Sequence, residues 1–571
     1  MPDRTDHVPP APAVSRLEWV ALAVVVAVGL VMRTASSDAR VVEHYDEGVY
    51  ASNLYSDASG YAYPDRHLYA PPLWPAVIET AILSIGPSAA CWPSIVAGTL
   101  LVVAIWALGR EWFDIATGLT AALLVAVDPI LVTYSQTALV DTPMTLWLAA
   151  ALWAGRRGIA GDRKAVAAAG IAAGIAWVTK YNGWLAVAML ASAAVVWAGV
   201  ERWWFGGRVE ERAVAVRVAV AAAIAGTVWV PVLLTLPNGY GPVAANHSRY
   251  FVGIGGWLTS ASQQAGNATV LGAGVGSMLG LLATAVWLLL KAPGVWRIAS
   301  LGGVAIVGGL AVAGVVWPAW IAVVVSQIAA AFLLWRLLSG DVPTSQQRLG
   351  GWLLLAWFHS LHLAVPLYTP YPRLLVAIVP ATCLVLAQAL QRVARADRRL
   401  RLKPVELAVA AVIVAAIAAV TLAMSAQTGP PPMWQSRRGA EQVAAFVQTL
   451  LRSQRLDGRQ GFGVYVLGEP SVFFHLSRLA EQRRAVPMLP QPAGNLSVLE
   501  GGDSRIVPIL VVGPHAAELI PESESRLTPL GTIAVDASPV VGLNEASPAT
   551  VADAAVRMEY RVYRIDPDAN D

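Results

Sequence analysis

Two acids stand side by side in Glu43-His44-Tyr45-Asp46-Glu47-Gly48-Val49-Tyr50. A carboxylate within hydrogen-bond reach of a hydroxyl can take its proton as the oxygen attacks. Neighbours on a helix point about 100° apart, so one of Asp46 and Glu47 faces a cavity better than the other. The same pair also suits the first turn of a helix, where acids are favoured. A further acid, Asp141, lies between Ala138-Leu139-Val140 and Thr142-Pro143, again a good helix start. The cations that could act with these acids are Arg66 beside His67, Lys180 in Thr179-Lys180-Tyr181-Asn182-Gly183, and Arg373 in Tyr371-Pro372-Arg373. A guanidinium offers fork-shaped donors to an oxyanion, although a long cationic side chain near a lipid surface also serves as an anchor.

The frame that must position these groups is apolar. Of 571 residues, 56% are hydrophobic and 13% charged, and mean hydropathy is +0.56. A soluble domain carries about 25% charge, so the composition points to lipid. Apolar runs recur near 17–33, 72–86, 90–109, 115–133, 138–155, 164–180, 182–200, 212–236, 269–291, 298–316, 317–338, 350–367, 371–391 and 403–424. Most approach the ~20 residues that cross a bilayer. The run at 72–86 is short, begins with prolines, and reads as an interfacial or re-entrant helix in the first outer loop.

Basic loops stay on the cytoplasmic side. With 72–86 not crossing, the N-terminus and the inner loops hold 20 Lys/Arg, against six in the outer loops: Arg33, Arg40, Arg66, Lys180, Arg249 and Arg373. That gives about 13 transmembrane helices in residues 1–425, a cytoplasmic N-terminus in the cell (inner) membrane, and an extracytoplasmic C-terminus. Every chemically suspect residue falls on the outer side, as groups meeting one substrate must.

After residue 425 the composition changes at Gly429-Pro430-Pro431-Pro432, a linker signal. A helix at 438–452, a strand at 463–467, a helix at 471–479 and strands at 506–512 and 560–565 predict a small α/β domain over 426–571. Cys91 and Cys383 read as buried apolar residues. No basic stretch interleaved with aromatics suggests nucleic acid. A transporter of lipid-linked sugars is the alternative class; it calls for repeated halves and charges at mid-membrane depth, and neither is evident.

The order Tyr-Asp-Glu-Gly (45–48), Pro-Pro-Leu-Trp (71–74), Asp-Pro (128–129), Tyr-Ser-Gln (134–136), Ala-Leu-Val-Asp-Thr-Pro (138–143), Thr-Lys-Tyr-Asn-Gly (179–183) and Tyr-Pro-Arg-Leu-Leu (371–375) resembles the C-type (GT-C) membrane glycosyltransferases. The resemblance is to the branch holding protein O-mannosyltransferases and the bacterial aminoarabinose transferases of lipid A, and it covers roughly residues 15–425. It implies a sugar donor carried on polyprenyl phosphate and a lipid, glycan or protein acceptor arriving from the outer side. It also implies a catalytic acid at Asp46 and a second acid at Asp141. The aminoarabinose branch has Glu-Lys before the Pro-Pro motif, with the lysine on the donor phosphate; Tyr69-Ala70 stands there in this chain. Arg373, Lys180 or Arg66 must then supply the positive charge. His247, Arg249 and Tyr50 are candidates for contact with the sugar or the acceptor. A phosphate leaves readily, so no strong general acid is needed, and a base and charge stabilisation suffice; no cofactor is identified. A divalent metal is an alternative source of charge, because Glu47, Asp141 and His247 are hard or borderline ligands.

Overall fold

The computed structural model describes residues 14–52, 63, 65–207, 209–273, 318–342, 344–396, 431–454, 460–481, 486–493, 505–521 and 524–566. Helix α1 (Arg16–Thr34) starts at Ser15, whose hydroxyl accepts the Glu18 N–H at 3.1 Å. There follow α2 (Tyr45–Ala51), α3 (Leu73–Ile85), α4 (Trp92–Trp112), α5 (Ile115–Val127), α6 (Pro129–Ser135), α7 (Asp141–Ala160), α8 (Arg163–Thr179), α9 (Leu185–Trp203) and α10 (Glu211–Thr235). Then come α11 (Gly241–Ser248), α12 (Trp257–Val270), α13 (Pro318–Ser339), α14 (Ser345–Ala364) and α15 (Val379–Ala396). Aspartates cap several of these starts: Asp114 accepts from the Thr117 N–H, Asp128 from Leu131 and Asp162 from Lys164 and Ala165.

Among the described residues seven helical stretches are long and apolar enough to cross a bilayer, and α5 with α6 makes an eighth if their 60° bend is one broken span. The chain is a multi-pass membrane protein. Helix α3 has 13 residues, about 20 Å, short of a ~30 Å hydrocarbon layer, as expected for a segment that does not cross. Helices α7 and α8, at two further expected spans, have 20 and 17 residues and are not among these seven stretches. The expected runs near 298–316 and 403–424, and nearly all of 269–291, lie outside the described residues.

One expectation needs correction. Arg33, counted above as an outer-loop cation, is fully buried at the end of α1. Its guanidinium donates to the carbonyls of Ala126 and Val125 at 3.0 and 3.3 Å and to the Ser135 hydroxyl at 3.1 Å. It thus satisfies the C-terminal carbonyls of α5 where the helix breaks at Asp128-Pro129. Its position in the apolar pattern gave no sign that a broken span would need a cation.

The C-terminal unit contains α16 (Gly439–Ser453), β1 (Gly461–Leu467), α17 (Pro470–Ala480), β2 (Met488–Ala493), β3 (Ile506–Val512), β4 (Leu527–Asp536), α18 (Pro539–Glu545), α19 (Pro548–Asp553) and β5 (Arg557–Ile565). The sheet order is β2-β1-β3-β5-β4. Strand β1 runs parallel to both neighbours, with Val464 opposite Pro490 and Ile509, while β5 is antiparallel to β3 and β4. The three strands foreseen are the inner ones, β1, β3 and β5. The two not foreseen are the edges: β2 carries Pro490 and Pro492, which an edge tolerates, and β4 consists mainly of half-buried and exposed residues with a bulge at Pro529/Gly531.

Candidate active site

The short helix α2 separates the two adjacent acids. His44 caps it, its Nδ1 accepting the Asp46 N–H at 3.1 Å, and Glu47 closes a capping box. Glu47 Oε2 accepts the N–H groups of Glu43 at 3.1 Å and His44 at 2.9 Å, and Oε1 accepts that of Ala138 at 2.6 Å. Arg437 also donates to Glu47, which is wholly buried. The Asp46 carboxylate points elsewhere and accepts from Arg373.

Arg373 sits in the 3-10 turn Pro372–Ala377 that leads into α15, its guanidinium 5.3 Å from the Tyr371 ring centre. Asp141 is the first residue of α7, but Val140 occupies the cap position and the Asp141 side chain does not cap. Instead Asp141 Oδ1 accepts from Lys180, which ends α8, while Oδ2 is buried with no partner among the described residues. The lysine side chain is 16% exposed, so it turns inward and does not snorkel. The two ion pairs also feel each other: Asp46 is attracted by Lys180, and Arg373 by Asp141. Four charges from α2, α7, the end of α8 and the turn before α15 thus form one cluster. Burial raises the Asp46 pKa, but Arg373 and His44 outweigh it and leave the carboxyl below its ordinary range.

Other expected residues border this cluster. Tyr50 is buried, donates to the Tyr69 carbonyl at 3.4 Å, and feels Asp46, Arg373 and Asp141. His247 packs edge-on to Tyr181, with ring centres 5.6 Å apart, and its Nε2 is buried with no partner among the described residues. Burial, then Lys180 and Arg373, push its pKa down to about 4, so the imidazole is neutral at pH 7. Arg249 is exposed at the end of α11. Arg66 is half-buried in the 3-10 turn Arg66–Leu68.

Several groups around the cluster carried no recognised signal. Tyr45 Oη lies 3.1 Å from both Tyr63 Oη and Tyr69 Oη. The C-terminal unit meets the loop before α2 directly: Ser538 donates to Glu43, Asn544 bonds His44 Nε2, and His475 Nε2 donates to the Val42 carbonyl at 2.7 Å. The Arg437-Arg438 pair just after the proline run was the available hint, and only the first of the two reaches the site.

Among the described residues no group of three His, Cys, Asp or Glu side chains is placed to hold a metal. Of the expected ligands Glu47, Asp141 and His247, the two acids are already bound to cations, Glu47 to Arg437 and Asp141 to Lys180, and His247 feels the positive charges of Lys180 and Arg373. This donor set does not fit a divalent ion, and no step below is routed through one.

No curated protein matches the sequence. Residues 70–229 match the family model of dolichyl-phosphate-mannose-protein mannosyltransferase. The fold is similar to that of ArnT from Cupriavidus metallidurans bound to undecaprenyl phosphate, with TM-score 0.50 and 14% identity over 96% of this chain and 98% of that one. It is also similar to the archaeal oligosaccharyltransferase AglB from Archaeoglobus fulgidus in complex with an inhibitory peptide and a dolichol-phosphate, with TM-score 0.53 and 12% identity over 87% of this chain and 69% of that one. A further structure of the Archaeoglobus enzyme is a complex with zinc and sulfate. The matched stretch spans α3 to α10 and holds Asp141 and Lys180. That match over residues 70–229 and the shared fold are what the chain has in common with these membrane glycosyltransferases.

Proposed function

We propose that the protein transfers a sugar from a polyprenyl-phosphate donor to an acceptor hydroxyl at the extracytoplasmic face of the membrane, with inversion at the anomeric carbon. The observation that carries this reading is the cluster of two carboxylate–cation pairs, Asp46–Arg373 and Asp141–Lys180. Asp46 follows the C-terminal end of α1, whereas the Glu18–Arg110 pair lies at that helix's start.

A donor phosphate entering the cluster offers Arg373 and Lys180 a new anion and draws them from the carboxylates. Asp46, released, accepts the proton of the acceptor hydroxyl while that oxygen bonds to the anomeric carbon. The bond from that carbon to the phosphate oxygen breaks, and its electron pair stays on the phosphate, where Arg373 and Lys180 stabilise the charge. Asp141 holds Lys180 toward the leaving group. Neutral His247, its Nε2 with no partner among the described residues, and Tyr50 bind hydroxyls of the sugar or acceptor. Arg249 and Arg66 lie farther out along the approach. The name of the matched family and the polyprenyl phosphate bound in the similar structures support this donor class.

The test is turnover by the purified protein with a panel of polyprenyl-phosphate sugars and lipid, glycan and peptide acceptors. A glycosylated product of inverted configuration supports the reading. Retained configuration, or no product with any donor, refutes it.

A further inference from the structure

Asp46 sits on a helix of seven residues, too short to hold its place unaided. What holds it is Glu47. One carboxylate takes two N–H groups from the residues that start α2 and one from Ala138, in the turn that runs to Asp141. Its fourth donor, Arg437, comes from the far end of the chain. Arg437 is itself 3% exposed, reaches the carbonyls of Ala39 and Gln136 at 3.4 Å, and anchors its own N–H on the Asp38 carbonyl at 2.9 Å. It is the cation that neutralises a wholly buried carboxylate and ties three separate backbone stretches together. Gly48 shows how closely the C-terminal unit is fitted to α2: a Cβ there would lie 2.2 Å from the Ser471 nitrogen.

We propose that Arg437 is a positioning residue for the transfer reaction: through Glu47 it fixes α2, and with it Asp46, against the turn carrying Asp141, which makes the C-terminal unit part of the catalytic machinery. This rests on the reading of Asp46 as the base. Arg437 touches no reacting atom, so its loss acts on the approach of base to hydroxyl and not on the phosphate cations.

The experiment uses the purified full-length protein with the polyprenyl-phosphate sugar that the panel selects, and measures binding of undecaprenyl phosphate alone in parallel. Misplacement on the scale of 1 Å costs about 10²-fold, so Arg437→Gln is expected to lower kcat by about that factor. Donor KM and undecaprenyl phosphate binding stay at their wild-type values. Glu47→Gln with Arg437→Gln removes the unpaired charge at Glu47, leaves Glu43 with its Ser538 donor, and keeps an acceptor for the Ala138 N–H, so it recovers part of the lost kcat. Arg437→Lys keeps the charge without the fork and falls between. Gly48→Ala, which pushes α2 off α17 by one methyl group, lowers kcat in the same way and keeps the proposal testable if Arg437→Gln does not fold. Wild-type kcat in either Arg437→Gln or Gly48→Ala, with Asp46→Asn inactive, overturns the positioning role and leaves the base in place. An active Asp46→Asn protein overturns the base itself, and a wild-type protein that turns over none of the panel overturns both.

Discussion

Arg373 donates to the carboxylate of Asp46 across 327 residues of sequence. The pair joins a short helix near the N-terminus to the turn before α15, and each partner is held in a conformation the other stabilises. In the proposed reaction the two must separate, because the base and the phosphate cation act on opposite sides of the anomeric carbon. Most of the tests below follow from that separation.

Asp46→Asn keeps the size of the side chain and an acceptor for Arg373 but cannot take a proton. Turnover is expected to fall by about 10²–10⁴-fold, with undecaprenyl phosphate binding retained or strengthened because Arg373 is less firmly engaged. Initial rates and ligand-binding isotherms on the same preparation check this. Wild-type turnover would move the base to another residue, with Asp141 the next candidate.

The pH profiles should separate in a definite direction. In the free protein Arg373 and His44 hold the Asp46 carboxyl below its ordinary range, so the acidic limb of kcat/KM lies below the usual ~3.9 of an aspartate. Once donor phosphate takes Arg373, the carboxylate loses its partner and gains a nearby anion, and its pKa rises. The acidic limb of kcat is therefore expected at higher pH than that of kcat/KM. Coincident limbs would mean that Arg373 never leaves Asp46.

Arg373→Ala removes a cation that faces both carboxylates. The expected result is a rise in donor KM and a fall in kcat, with acceptor KM little changed. An effect confined to acceptor KM would take Arg373 off the phosphate.

Glu47→Gln should not behave like a substitution at an exposed acid. It leaves Arg437 buried with Glu43 Oε2, 3.8 Å away, as its remaining carboxylate. Breaking a buried pair on one side costs about 3–5 kcal/mol, and the lower end is expected because Glu43 remains. Thermal unfolding in detergent, compared with Asp46→Asn, measures it; equal stability of the two variants would contradict the assignment of Glu47 to the frame.

His515 lies between Glu469 and Glu545, with Nδ1 2.8 Å from the first and Nε2 3.1 Å from the second. Burial lowers its pKa, but the two carboxylates outweigh this and push it up to about 10. A folded-state value above the unfolded ~6.5 means that the stabilisation is complete below that pH and is lost as pH rises toward 10. The melting temperature is expected to decline over this range and the decline to shrink in His515→Gln.

Sidedness rests on the charge pattern and is open to direct test. With Ala554 and Asp341 replaced singly by cysteine, a membrane-impermeant thiol reagent added to intact cells should label the first and spare the second. The reverse pattern would invert the topology.

The membrane class, the short α3, the inner strands of the C-terminal sheet and the residues of the charge cluster were all legible in the sequence. Apolar runs, proline breaks and charge asymmetry are local or additive signals, and they survive without knowledge of the fold. Asp46, Asp141, Lys180 and Arg373 stood out because each spends a charge in an apolar setting. The pairing of those four, and the opposite fates of Asp46 and Glu47, were not legible. A rotation of about 100° per residue separates neighbours, but only the tertiary contacts decide which of them meets the cavity and which meets Arg437. The same holds for Arg33, whose role depends on carbonyls 92 and 93 residues away at the end of a broken helix, and for the edge strands, whose prolines argue against pairing until a neighbour is present on one side. Sequence determined which residues carry charge into an apolar protein; the fold decided which charges face each other, because burial makes an unpaired charge costly and so selects one arrangement.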